Sequence, residues 1–86
     1  MERKNILITG SSRGIGRACA LAFAKNGWYV FINCRSSLDQ LKETESMILA
    51  SGGACTMLPG DAGNPDDVRA MFDKISSLCG GLDVLV

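Results

Sequence analysis

Residues 9–16 read Thr9-Gly10-Ser11-Ser12-Arg13-Gly14-Ile15-Gly16, a T-G-x-x-x-G-x-G spacing between an apolar run at 5–9 and an Ala-rich segment. Residues of these types in this order can hold an anion. A loop that leaves a strand and opens a helix aims unpaired backbone N–H groups, and the positive end of the helix dipole, at one place. Glycine suits such a loop because a Cβ would hold the anion away and because tight turns here call for positive φ. Two other phosphate loops fail on spacing. A G-x-G-x-x-G run begun at Gly14 meets Cys19 where its last glycine belongs, and a P-loop needs Lys where this chain has Arg17 and Ala18 after Gly16.

Three charged residues fall where they can extend that chemistry. Arg13 lies inside the loop, Arg35 follows the second apolar run in "INCRSS", and Asp61 follows the third in "LPGDAG". They matter only if the chain brings the ends of its strands to one edge.

The pattern predicts that it does. "NILIT" (5–9) reads as a strand buried on both faces, and Gly14 to Asn26 as a helix with Ile15, Ala18, Cys19 and Ala22 on its inner side. "WYVFINC" (28–34) is a second strand. Ser36 or Ser37 caps a second helix whose inner face carries Leu38, Leu41, Ile48 and Leu49, and Gly52-Gly53 ends it. "ACTMLPG" (54–60) is a third strand, shortened by Pro59. Asn64 as N-cap, Pro65 at the first helical position, and Asp66 and Asp67 at the positive end start a third helix. Its stripe is Val68, Met71, Phe72, Ile75 and Leu78, and "LDVLV" (82–86) is a fourth strand. This β-α-β-α-β-α-β alternation predicts an α/β fold: a parallel, Rossmann-type sheet of order 3-2-1-4, two helices on one face and one on the other. The glycine loop then lies at the switch point, where open sheets bind ligands.

Composition narrows the classes. Residues 1–86 form one small domain in which 47% of residues are apolar and 21% charged, too apolar for disorder. Nine basic and nine acidic side chains cancel, which argues against a nucleic-acid surface. No apolar run approaches a membrane span, and the lead from Met1 to Asn5 is polar, unlike a secretory leader. Cys19, Cys34, Cys55 and Cys79 are widely spaced and the chain has no histidine, so no metal site is expected. They read as reduced, buried thiols of a cytoplasmic protein. Asp83, inside the fourth strand, is expected to be buried with a structural hydrogen-bond partner. The sequence stops within an apolar strand, so the expectation is the N-terminal part of a larger domain. Its bare fourth edge would self-associate, and a homo-oligomer is expected.

"TGSSRGIG" resembles the cofactor loop of the short-chain dehydrogenase/reductase family. "GDAGNPDDV" and "GGLDVLV" are similar to that family's segments after the third strand and at the fourth. Loops of the "SSRGIGRA" kind are most like those of 3-oxoacyl-(acyl-carrier-protein) reductases, with sugar and polyol dehydrogenases close behind. The resemblance implies a nicotinamide dinucleotide cofactor, held by Gly10, Gly14 and Gly16 with Ser12, Arg13 and Ile15 lining the loop. It also implies that Asp61 accepts from the adenine amine while the Ala62 amide meets a ring nitrogen; the other reading of Asp61 is a turn between Gly60 and Gly63.

The second strand's end decides which dinucleotide. A ribose without a 2′-phosphate wants a carboxylate there, whereas this chain places Arg35 and Ser36 and its nearest acid, Asp39, lies in the helix. A guanidinium suits a phosphate dianion, and Arg13 can approach the same group, so NADP(H) is expected over NAD(H). A methyltransferase would also want an acid near Arg35.

The family's reaction uses a Tyr, a Lys four residues on, and a Ser. The single tyrosine, Tyr29, has Asn33 four residues later. No catalytic residue carries over. The chain is expected to be inactive alone, as the cofactor-binding portion of an NADPH-dependent enzyme that reduces a carbonyl, with a small-molecule or acyl-carrier-bound substrate. The competing reading is a non-catalytic dinucleotide-binding or interaction module.

Overall fold

The computed structural model describes residues 4–86; the polar lead at 1–3 lies outside them. Four strands form one parallel sheet: β1 (Asn5–Ile8), β2 (Tyr29–Ile32), β3 (Ala54–Met57) and β4 (Val84–Leu85). Three helices alternate with them: α1 (Gly14–Lys25), α2 (Leu38–Ala50) and α3 (Pro65–Cys79). The order is β3-β2-β1-β4, the expected Rossmann-type arrangement.

Side chains alternate across each strand, and both faces of the sheet are apolar. Ile6, Ile8, Val30 and Ile32 point to the side covered by Ala20 and Ala24 of α1 and Leu41 and Ile48 of α2. Leu7 and Phe31 point to the other, against Leu58 and the Met71 and Ile75 of α3. Register follows from this pattern, with Ile6 opposite Val30 and Leu7 opposite Phe31.

The inner face of α1 is not the expected one. Ile15 is 85% exposed, Ala18 and Ala22 are exposed, and Cys19 is half-buried, while Ala20 and Ala24 are buried. The cause lies at the helix start. A Cβ on Gly16 would sit 2.1 Å from the Gly10 carbonyl oxygen, so α1 touches the turn after β1 at that glycine. Positions four and eight residues on, Ala20 and Ala24, therefore follow it inward. In α2 and α3 the expected face is kept but narrower: Leu41, Ile48, Met71 and Ile75 are buried, while Leu38, Leu49, Phe72 and Leu78 lie at the surface. Thr44 instead joins Leu41 and Ile48 inside.

Local chemistry starts and stops the helices. Asn64 Oδ1 accepts from the amides of Asp66 (2.9 Å) and Asp67 (3.2 Å), and Pro65 opens α3 as expected. Gly80, at φ 81°, closes it. Ser37 is the N-cap of α2, but its hydroxyl makes no capping bond. Asp39 places a carboxylate in that first turn instead. Beyond β3, Leu58 N donates to Ile32 O and Gly60 N to Cys34 O, so Pro59 falls where the ladder needs no donor.

The fourth strand is shorter than 82–86, although the ladder continues through Asp83 N to Asn5 O and Val86 N to Leu7 O. Val84, Leu85 and Val86 are exposed. Asp83 is exposed rather than buried, because the strand edge beside it is open; its Oδ2 accepts from Asn5 N at 2.8 Å. The thiols also differ from expectation. All four are free, yet only Cys34 is buried, Cys19 and Cys55 are half-buried, and Cys79 is exposed at the end of α3. Burial, and secondarily the Glu45 carboxylate, pushes the Cys55 thiol up to about 11. Burial also raises Cys34. Among the described residues no helix is long and apolar enough to cross a membrane.

Neighbouring positions should respond oppositely to the same side chain. Gly16→Ala forces a methyl into backbone and should cost about 1–3 kcal/mol by urea unfolding. Ile15→Ala should change stability by no more than about 0.5 kcal/mol. Equal effects would contradict the rotation assigned to α1.

Candidate functional site

The carboxyl ends of β1, β2 and β3 bring three loops to one edge of the sheet. The first is the glycine loop. Gly10 (φ 62°) and Gly14 (φ 60°) hold left-handed backbone that a Cβ would strain, and a Cβ at either would meet nothing within 4 Å. The space over the loop is therefore open, whereas the space under Gly16 is full. Arg13 is the N-cap of α1 in an extended conformation, with its side chain making no capping bond. Among the described residues no acid lies in that first turn. The first amides of α1 thus face outward at the positive helix end without a side-chain partner, which fits a phosphate.

The loop's other residues divide by exposure. Arg13 and Ile15 are exposed. Ser12 is buried, its carbonyl accepting from Arg17 Nη2 at 2.6 Å. Thr9 at the strand end donates its hydroxyl to Val86 O at 3.0 Å, which fastens the loop's entry to β4.

Arg35 and Ser36 follow β2, both exposed. Arg35 Nε lies 3.7 Å from Asp61 Oδ2, so the structure brings together two of the expected site residues from separate loops. With Arg35's side chain 80% exposed, this ion pair is loose and contributes little stability. Asp61 also forms the turn: Oδ1 accepts from Gly63 N at 2.8 Å, while Asp61 N donates to Asp67 Oδ2 at 2.9 Å. Ala62 is exposed within that turn.

Sequence reasoning missed the residues that hold these loops together. Asn33, 2% exposed at the end of β2, donates Nδ2 to Leu58 O (2.9 Å) and Gly60 O (3.0 Å). Its Oδ1 lies 3.4 Å from the Gly10 amide. Its own amide donates to Ser11 Oγ at 2.7 Å, and its carbonyl accepts from Ser11 N at 2.8 Å. The Ser11 hydroxyl donates on to Ile8 O at 2.9 Å. One asparagine and one serine thus join the loops after β1, β2 and β3. The available signal was a polar residue closing an otherwise apolar run, "WYVFIN". Thr44 and Arg17, beneath the glycine loop, were missed as well. Thr44 interrupts the apolar face of α2, and Arg17 is a charge set one residue past the glycines.

Tyr29 lies in β2 with its hydroxyl against Thr56 Oγ1, on the strand rather than at the loop edge. Among the described residues no cluster of three or more His, Cys, Asp or Glu side chains can hold a metal ion.

Residues 4–86 match the short chain dehydrogenase family. The chain is 40% identical over 83 residues to a glucose 1-dehydrogenase of Gluconobacter oxydans, covering 96% of this chain and 31% of that protein. To a 3-oxoacyl-[acyl-carrier-protein] reductase of Staphylococcus aureus it is 37% identical over 83 residues, 96% of this chain and 34% of the other. Among solved structures, L-sorbose reductase from Gluconobacter frateurii complexed with NADPH and L-sorbose superposes with a TM-score of 0.87 at 35% identity. That superposition covers 98% of this chain and 32% of the reductase. The chain spans about a third of the length of the relatives it matches. With that match over nearly its whole length, and the glycine loop at the switch point of a 3-2-1-4 sheet, the chain belongs to the short-chain dehydrogenase family.

Proposed function

We propose that this chain is the cofactor-binding N-terminal part of an NADPH-dependent oxidoreductase that reduces a carbonyl to an alcohol. The observation that carries the reading is the glycine loop: uncapped amides at the start of α1, open space above Gly10 and Gly14, and no acid in the first turn. These residues would hold the dinucleotide's pyrophosphate. Bound there, the cofactor supplies hydride; the chain's own residues bind and orient it.

Arg35 supports the phosphorylated form. Its guanidinium stands at the end of β2 with no carboxylate beside it on that strand, and its present partner is the half-buried Asp61, through a loose ion pair at 3.7 Å. A dianionic 2′-phosphate is a stronger partner for a guanidinium than a carboxylate 3.7 Å away. Arg13, exposed in the loop, is the second candidate for that phosphate, and Ser36 is a further donor at the same turn. Asp61 and the Ala62 amide would meet the adenine. Two relatives are named for glucose and for 3-oxoacyl-[acyl-carrier-protein]. A 3-oxoacyl thioester is our leading substrate class, on the character of the "SSRGIGRA" loop.

The proton donor of the reaction is assigned to the remainder of the intact protein. Tyr29 is committed to β2 and to Thr56. The exposed strip at residues 84–86 would be covered by the continuing sheet, and alone this chain is expected to be inactive.

Two measurements test this. Arg35→Asp in the intact protein should weaken NADP+ binding by at least about tenfold while changing NAD+ far less, since a charge-assisted contact is exchanged for a repulsion. Equal losses for both would remove Arg35 from the phosphate site. The intact protein should also oxidise NADPH when given a β-ketoacyl thioester. No change in NADPH absorbance would exclude that substrate class.

A further inference from the structure

Arg17 stands one residue past the glycine run, and the cofactor reading above gives it no part. Its side chain is only 21% exposed because it turns under the loop. Nη2 donates to Ser12 O at 2.6 Å and to Gln40 O at 2.8 Å, and Nε donates to Thr44 Oγ1 at 2.8 Å. Thr44, fully buried, donates its hydroxyl to Ser11 O at 3.0 Å. One guanidinium therefore ties two carbonyls of the glycine loop, one directly and one through a hydroxyl, to the first turn of α2.

The place of that first turn gives the linkage its meaning. Gln40 is the third residue of α2, and the turn that enters α2 is 35–37, with Arg35 and Ser36. Arg17 thus adds a second tie between the glycine loop and this turn, on the far side from the Asn33–Ser11 bonds at the end of β2. The bonds to a loop carbonyl, a helix carbonyl and a hydroxyl come from two nitrogens, Nε and Nη2, of one planar guanidinium, a spread that the single nitrogen of an ammonium does not reproduce. Its acidic neighbour, Glu43, is 66% exposed at 3.8 Å and neutralises it weakly.

Resting on the cofactor reading, we infer that Arg17, seated on Thr44, is a positioning residue that fixes the span between the pyrophosphate loop and the 2′-phosphate turn. It thereby favours ligands that engage both ends at once. NADP+ is such a ligand. Adenosine 2′-monophosphate engages the turn alone. Loss of the link leaves the loop and the turn joined only through Asn33 and Ser11, so the turn shifts more freely against the loop, which penalises the spanning ligand and spares the short one.

Calorimetric titration of the intact protein with these two nucleotides separates the possibilities. Arg17→Met should weaken NADP+ about tenfold or more, the scale of one charge-assisted hydrogen bond, and leave adenosine 2′-monophosphate within about twofold. Arg17→Lys should fall between. Thr44→Val should reproduce the selective loss and Thr44→Ser should restore binding; this pair decides the matter if Arg17→Met does not fold. Equal losses for both nucleotides would mean a merely structural role, and no loss for either would mean no role; each overturns the inference alone. A wild-type protein that binds NADP+ but not the monophosphate also overturns it. A wild-type protein that binds neither removes the cofactor reading beneath it.

Discussion

A buried amide at the end of β2 makes three separate loops behave as one surface. Asn33 is almost wholly withdrawn from water, so each of its polar atoms needs a partner in the protein, and an unpaired one would cost about 1–3 kcal/mol. The partners it finds are the backbone after β3 on one side and the backbone after β1 on the other. Ser11 completes the arrangement by bonding Asn33 through both backbone and hydroxyl. Every buried polar side-chain atom among the described residues is satisfied, so the edge is a closed network. The exposed Arg13 and Arg35 and the half-buried Asp61 can then be presented on loops without those loops being loose. Their burial differs sharply from that of their supports, which is the division expected of a binding edge on a rigid sheet.

Much of this was legible from residue types. The alternation of apolar runs with amphipathic segments specified the 3-2-1-4 order, because parallel strands joined by right-handed crossovers leave few alternatives. Asn64, Pro65 and Asp66 marked the start of α3 correctly because capping is local chemistry, decided within four residues. The glycine spacing located the loop for a similar reason. Helix faces were less legible. Alanine and cysteine give weak periodicity, and the rotation of α1 is set by a contact between Gly16 and Gly10 that has no signature in hydrophobic patterning. The ladder past Pro59 shows the converse, where a proline that looks like an end is tolerated by falling on the ladder's free side.

The candidate site divided the same way. Residues that would touch a ligand were visible because their types suit one: glycines for close approach, arginines for a phosphate, an aspartate at a turn. Residues that hold those in place were not, since Asn33, Ser11, Thr44 and Arg17 act through backbone groups far away in sequence. Arg17 bonds Gln40 across 23 positions and Asn33 reaches Gly60 across 27. Such partners become apparent only when the sheet has assembled. Membership of the short-chain dehydrogenase family fits this picture: the match runs over residues 4–86, the sheet edge and its loop included, with relatives about three times the chain's length.

On our proposal, the edge of this sheet holds a 2′-phosphorylated dinucleotide between the glycine loop and the turn after β2. A crystal structure of the intact protein grown with NADP+ tests it most directly. The pyrophosphate is expected on the first amides of α1, above Gly10 and Gly14, and the 2′-phosphate against Arg35 and Arg13. A pyrophosphate bound away from the glycine loop, or a 2′-phosphate projecting into solvent with Arg35 still on Asp61, would contradict it.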